Sequence, residues 1–314
     1  MPQIGSREVE HDILVAAPAE EVYRLIADVE HWPRIFPPTI HVDQLEHSGA
    51  EERIRIWATA NGKAKQWTSR RRLDPAARRV EFRQEVSAPP VAAMGGTWLI
   101  EPADGGCRIR LQHDYRAVDD DPEKLAWIDQ AVDRNSRVEL AALKANVELT
   151  TGTQGDLFIS FEDTVHIDGS AKDVYDFLNE AQLWSERLPH VARVTLTEDT
   201  PGLQILEMDT QTKDGSTHTT RSVRVCFPYH RIVYKQIELP ALMSLHTGYW
   251  QLAEDDGKVA ATSQHTVVLK PENIRRVLGP DAGIPEAADF VRTALSTNSR
   301  ATLGHARQYA EGRR

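Results

Sequence analysis

The chain is written twice. At an offset of 152 residues Glu10 meets Glu162, Ala19 meets Ala171, Val22-Tyr23 meets Val174-Tyr175, Trp32 meets Trp184 and Pro37 meets Pro189. The same offset matches Thr68 with Thr220, Arg79 with Arg231, Gln84 with Gln236, Gly96 with Gly248, Trp98 with Trp250 and Gln112-His113 with Gln264-His265. Near the end it becomes 163, where Asn135-Ser136-Arg137 meets Asn298-Ser299-Arg300. The second copy therefore holds about eleven extra residues, placed within "LKPENIRRVLGPDAGIPEA". Matches in register over a whole domain length indicate duplication. The predicted boundary falls in the small, polar stretch "TTGTQGD", giving domains 1–152 and 153–314.

Each copy reads as strand, helix, several strands and a long helix. "PAEEVYRLIADVEHW" opens with Pro18, has Glu20 and Glu21 in its first turn, and places Val22, Leu25, Ile26 and Val29 on one face. Its counterpart starts at Ser170 and Asp173, a capping-box variant. Alternating segments such as "ERIRIWATA", "AKQWTSRRRL" and "CRIRLQHDY" follow, separated by turn residues. The first copy then closes with a helix from about Pro122 to Thr150. An α+β fold is expected, with a curved antiparallel sheet holding one long helix and a cavity between them.

A formal net charge of −10 argues against nucleic-acid binding, which needs a basic surface. No run approaches the roughly 18 apolar residues of a membrane span. The opening "MPQIGSREVEHD" lacks the basic start and apolar run of a secretory signal. Cys107 and Cys226 have neither metal nor redox spacing, so two reduced thiols in a cytoplasmic protein are expected. The twelve histidines show no HExxH spacing, and neither a phosphate loop nor a dinucleotide fingerprint appears. Neither a metal nor a cofactor is expected.

"DVEHWPRIFP", "KQWTSRRRLD", "GTWLIEP" and "NSRVELAALK" resemble the polyketide aromatase/cyclases, helix-grip domains of the START and Bet v 1 type. The tandem arrangement resembles the didomain members of bacterial type II polyketide synthases. That resemblance implies closure and dehydration of the first ring of a poly-β-ketone held on an acyl carrier protein, alongside the other synthase enzymes. It also implies that Trp32 lines a cavity and that the "WxSxR" strand supplies Trp67, Ser69 and Arg71. A tyrosine that one branch carries after the "WP" turn is Thr39 here, and a last-strand histidine of another branch matches His113.

Strand alternation puts Trp67, Ser69 and Arg71 on one face and Thr68, Arg70 and Arg72 on the other. With Trp67 inside, Arg71 points inward, where a guanidinium can stabilise the enolate of an aldol closure. His113, and His265 in the second copy, are the expected proton carriers because imidazole titrates near neutrality. The second copy's strand "THTTRSVRV" puts Thr219, Arg221 and Val223 in the places of Trp67, Ser69 and Arg71, so Arg221 is expected inside. Trp32, Phe36, Trp67, Trp98, Trp184 and Trp250 are expected as cavity walls. Asn135 and Asn298, each beside a serine, interrupt the closing helices and contact either the sheet or a ligand. The competing function is a START-like carrier without catalysis. A thioesterase would need a nucleophile elbow, which is absent from the sequence.

Overall fold

The computed structural model describes residues 6–60, 62–151, 155–211 and 217–313. Its contacts divide the chain into two compact units between Thr153 and Gln154. The middle of the expected boundary, residues 152–154, lies outside the described residues.

The first unit runs β1 (Ser6–Val15), α1 (Ala19–Ala27), α2 (Trp32–Ile35), β2 (Thr39–Ser48), β3 (Glu51–Ala60), β4 (Lys63–Asp74), β5 (Arg79–Gln84), β6 (Val91–Ala103), β7 (Gly106–Ala117) and α3 (Pro122–Thr151). The second repeats this order: β8 (Phe158–Asp168), α4 (Ala171–Asn179), α5 (Trp184–Arg187), β9 (Val191–Thr200), β10 (Leu203–Gln211), β11 (Thr217–Phe227), β12 (Arg231–Glu238), β13 (Met243–Asp255) and β14 (Lys258–Leu269). The extra residues form a short helix, α6 (Ile274–Leu278), ahead of α7 (Ile284–Glu311). Each sheet has seven antiparallel strands, ordered β1-β7-β6-β5-β4-β3-β2 and β8-β14-β13-β12-β11-β10-β9. This is the helix-grip architecture, built twice.

Local chemistry explains the elements. The Ser170 hydroxyl accepts from the Asp173 amide at 3.1 Å, capping α4 where the sequence predicted it. The apolar stripe of α1, Val22 and Ile26, is fully buried against Ile100, Ile109 and Leu111 of the sheet. On α3, Leu140, Leu143 and Val147 join the same core. The repeated tryptophan also has a physical reason. The Trp32 indole N–H donates to the Ile26 carbonyl at 3.2 Å, and Trp184 donates to Phe177 at 3.1 Å. Each thus satisfies a carbonyl left open where the preceding helix ends. Cys107 and Cys226 are buried free thiols. Among the described residues, no helix is long and apolar enough to cross a membrane.

Candidate functional site

In each unit one row of side chains crosses the sheet on the face toward the long helix. In the first it runs Glu52, Arg71, Phe82, Gly96, His113, each residue paired with the next across adjacent strands. In the second it runs Gln204, Arg224, Tyr234, Gly248, His265. Two of five positions differ, Glu52 against Gln204 and Phe82 against Tyr234.

Arg71 is 2% exposed, and its guanidinium donates to the carbonyls of Ile26 at 2.7 Å and Ala27 at 3.3 Å. It lies over the Trp32 ring, 5.0 Å from the centroid. A cation at the C-terminal end of α1 complements the helix dipole. Its charge is also answered directly: the Glu52 carboxylate sits 2.7 Å away and is equally buried. Burial lowers the Arg71 pKa to about 10, so the guanidinium stays charged at neutral pH. Arg71 faces inward as expected, but as half of a closed ion pair.

Arg224 occupies the same place. It is 2% exposed, donates to the Leu178 carbonyl at 2.6 Å and lies 5.4 Å over the Trp184 ring. Gln204 stands where Glu52 would be, and its amide is turned toward Asn179 and Glu198. Among the described residues no carboxylate lies within ion-pair distance of Arg224, and its buried Nη1 has no partner. The expectation for Arg221 is therefore overturned. Arg221 pairs with Glu207 and Glu238 on the outward phase of β11, while His218, Thr220, Ser222 and Arg224 face in. Thr220 accordingly takes the place of Trp67, not of Thr68. Four residues (60–63) separate the paired Thr59 and Ala64, but five (212–216) separate the paired Gln211 and Thr217. The extra residue shifts the strand by one and exchanges its faces. The signal was present: Ser69-x-Arg71 recurs as Ser222-x-Arg224.

The far end of each row also differs. His113 has the Ser136 hydroxyl 3.5 Å from Nδ1, and the edge of the Phe82 ring against it. Met94 and Leu111 fill the positions held by His246 and Ser263 in the second unit. There the surroundings are polar. His265 Nδ1 is 2.9 Å from the Tyr234 hydroxyl and 3.0 Å from His246 Nε2. Its Nε2 is 2.7 Å from Ser299 Oγ and 3.1 Å from Ser263 Oγ. Burial lowers His113 and His265 to about 4 and His246 to about 3. The expectation that His113 and His265 titrate near neutrality is thus corrected: both, like His246, are neutral at pH 7 because their surroundings exclude water. Burial raises the Tyr234 phenol, which stays protonated.

Gly96 and Gly248 are required by the row. A Cβ on Gly248 would stand 2.5 Å from the Tyr234 hydroxyl and 2.2 Å from the Gln264 carbonyl. Hydrogen in place of a methyl lets the Tyr234 ring lie across β13 and reach His265 on β14.

A cavity of about 140 Å³ opens on the second row, lined by Arg224, Tyr234, His246 and His265, by Ser299, Asn298 and Thr302 of α7, and by Trp184 and Trp250. The structure so brings together His265, Trp184, Trp250 and Asn298 of the expected residues. The first unit's expected set is placed otherwise. Trp32, Phe36 and Trp98 pack on one another, with centroids 5.5 and 6.1 Å apart. Trp67 joins Ile54 and Ile56, and Asn135 is exposed. The Ser69 hydroxyl donates to the Arg83 carbonyl at 2.9 Å. A larger hollow of about 430 Å³ on the first sheet is lined by Glu52, Arg71, Phe82 and Gly96 of the row together with outward charges, including Arg53, Arg70, Arg83 and Asp114. Arg53 and Arg70 share Glu85 there, and Arg83 pairs with Asp114, as on a solvated surface. Among the described residues, no cluster of three His, Cys, Asp or Glu side chains is arranged to hold a metal.

Comparison with known proteins agrees with the geometry. The model of the family "Polyketide cyclase / dehydrase and lipid transport" matches twice, over residues 6–148 and 159–311. The chain is 52% identical to the granaticin polyketide synthase bifunctional cyclase/dehydratase of Streptomyces virginiae, over 94% of this chain and 97% of that one. It is 45% identical to the actinorhodin polyketide synthase bifunctional cyclase/dehydratase of Streptomyces coelicolor, over 98% of each. Among solved structures, the di-domain ARO/CYC BexL of the BE-7585A biosynthetic pathway superposes with a TM-score of 0.91 at 66% identity, covering 97% of this chain and 99% of BexL. The di-domain ARO/CYC StfQ of the steffimycin pathway gives 0.85 at 33%, with the same coverage. In both of its halves, the chain belongs to the polyketide cyclase/dehydrase and lipid transport family.

Proposed function

We propose that this chain is an aromatase/cyclase of aromatic polyketide biosynthesis. It closes and dehydrates the first ring of a poly-β-ketone carried as a thioester on an acyl carrier protein. The observation that carries this reading is Arg224, a buried cation with no carboxylate within ion-pair distance among the described residues, on the wall of a cavity that also holds Tyr234 and His265. A cation fixed in a water-poor site stabilises the oxyanion that develops as a ketone enolises or is attacked. The cavity, about 140 Å³, is close to the volume that accepts one benzene-sized ring. Trp184 and Trp250 supply flat walls for it. In this reading the first unit's row, its arginine already neutralised, binds or steadies the chain while the second performs the chemistry.

The test is reconstitution with a minimal polyketide synthase and a ketoreductase, with products identified by mass and NMR. Arg224→Ala is expected to lower the yield of cyclised product by roughly a hundred- to a thousandfold, the usual cost of losing an oxyanion donor. Gln204→Glu, which installs the first unit's counterion, is expected to do much the same with the arginine in place. Wild-type yields from both variants would reject this seat for the chemistry. A bound ligand recovered unchanged, with no ring product from the wild type, would favour a carrier.

A further inference from the structure

The first unit answers a question that the second poses. Both rows carry arginine, glycine and histidine, yet the residue between arginine and glycine is Phe82 in one and Tyr234 in the other. A buried hydroxyl needs a partner, and this one has His265 Nδ1 at 2.9 Å. The hydroxyl's own strand neighbour across β11 is Arg224. In the row Tyr234 therefore lies between Arg224, which would hold an oxyanion, and His265, an imidazole that can accept a proton, and all three line the cavity.

We infer that Tyr234 is the residue that moves the proton in dehydration: its hydroxyl takes the α-proton of the β-hydroxy ketone, passes its own proton to His265, and returns one to the departing hydroxyl. This deepens the aromatase/cyclase reading and rests on it. The steps balance as follows. The α-carbon–hydrogen bond breaks toward the Tyr234 oxygen as the Tyr234 proton moves to His265 Nδ1, leaving an enolate opposite Arg224 and an imidazolium. Then the Nδ1 proton returns to the Tyr234 oxygen, which protonates the β-hydroxyl. The enolate electrons form the carbon–carbon double bond, the carbon–oxygen bond breaks, and water leaves. The enzyme ends as it began, so the cavity exchanges no proton with solvent.

The surroundings of His265 suit this traffic. With the phenol donating to Nδ1, the other nitrogen carries hydrogen and donates to Ser299 Oγ at 2.7 Å, which fixes the tautomer. Ser263 donates in turn to Ser299 at 3.1 Å. With Nδ1 unprotonated at rest, His246 Nε2, 3.0 Å away, carries hydrogen and donates to it beside the phenol. Burial keeps His265 neutral at rest and makes its protonated form a ready donor for the return step. In the first unit Phe82, Met94 and Leu111 remove the phenol, the second imidazole and one hydroxyl together.

Tyr234→Phe is a gentle variant, since Phe82 already occupies the matching site. In full-length protein reconstituted with the minimal synthase and ketoreductase, it is expected to lower formation of the aromatic product by about a hundred- to ten-thousandfold, the range of general acid–base catalysis. A cyclised product heavier by one water should accumulate instead. Loss of every cyclised species together would show that Tyr234 only supports the fold, and wild-type dehydration by the variant would show that it moves no proton; either result overturns the relay. A wild type that forms no ring at all would reject the aromatase/cyclase reading itself.

Discussion

Truncating Glu52 to alanine would leave Arg71 with helix-end carbonyls and no carboxylate, at a site only 2% exposed. Breaking a buried pair from one side commonly costs about 3–5 kcal/mol, because the surviving charge is stranded. Gln204→Ala removes a hydrogen-bonding amide, not a counterion, and should cost only about 1–3 kcal/mol. Urea denaturation of both variants checks this ordering, and equal losses would mean that Glu52 does not answer the Arg71 charge. The arginines themselves could be read from strand alternation in one copy but not in the other. Nothing about Arg71 in sequence announced its counterion, because Glu52 lies on another strand and meets it only through pairing.

At the scale of strands and turns, the duplication, the closing helices and the alternation of β4 were all legible, because each rests on a periodicity that the sequence carries directly. The register of β11 was not. Its extra residue lies ahead of the strand, while the next turn is shorter, three residues (228–230) against four (75–78). Matches on either side therefore keep the offset of 152, and the slip between them leaves no trace in the count. The cross-strand glycines were seen as repeats without a reason; the ring lying over each supplies it. Gly248→Ala should lose stability and, by lifting Tyr234 away from His265, dehydration as well. Gly96→Ala, where Phe82 Cζ would lie 2.7 Å from the new methyl, should lose stability but leave dehydration by the remaining folded protein intact. Thermal melts read beside product ratios separate the two effects; equal damage to dehydration from both would disfavour the C-terminal row as its seat.

Over the whole chain, the two units should respond unequally to acid. His246 and His265 in the second, and His113 in the first, are held below the ordinary imidazole value of 6.5. A group depressed in the folded state binds fewer protons there than in the unfolded chain, so stability falls as pH drops below about 6.5 and continues falling toward about 4. Lys235, lowered by burial to about 7, gives the second unit a slope of the same sign above neutrality. Hydrogen exchange on the intact protein should therefore show protection in β11–β14 declining faster than in β4–β7 between pH 6.5 and 4.5. A uniform decline would mean that the buried imidazoles do not govern acid stability.

The exchange of Glu52 for Gln204 also has a hereditary side. Glutamate and glutamine codons differ by a single base, so an arginine with this ion pair and an arginine without it stand one mutational step apart at this position. Selection on a duplicated gene can silence one pocket or wake the other without rebuilding either fold. If the arginine's counterion sets which pocket reacts, lineages of such tandem proteins can trade the working half back and forth while their architecture stays the same.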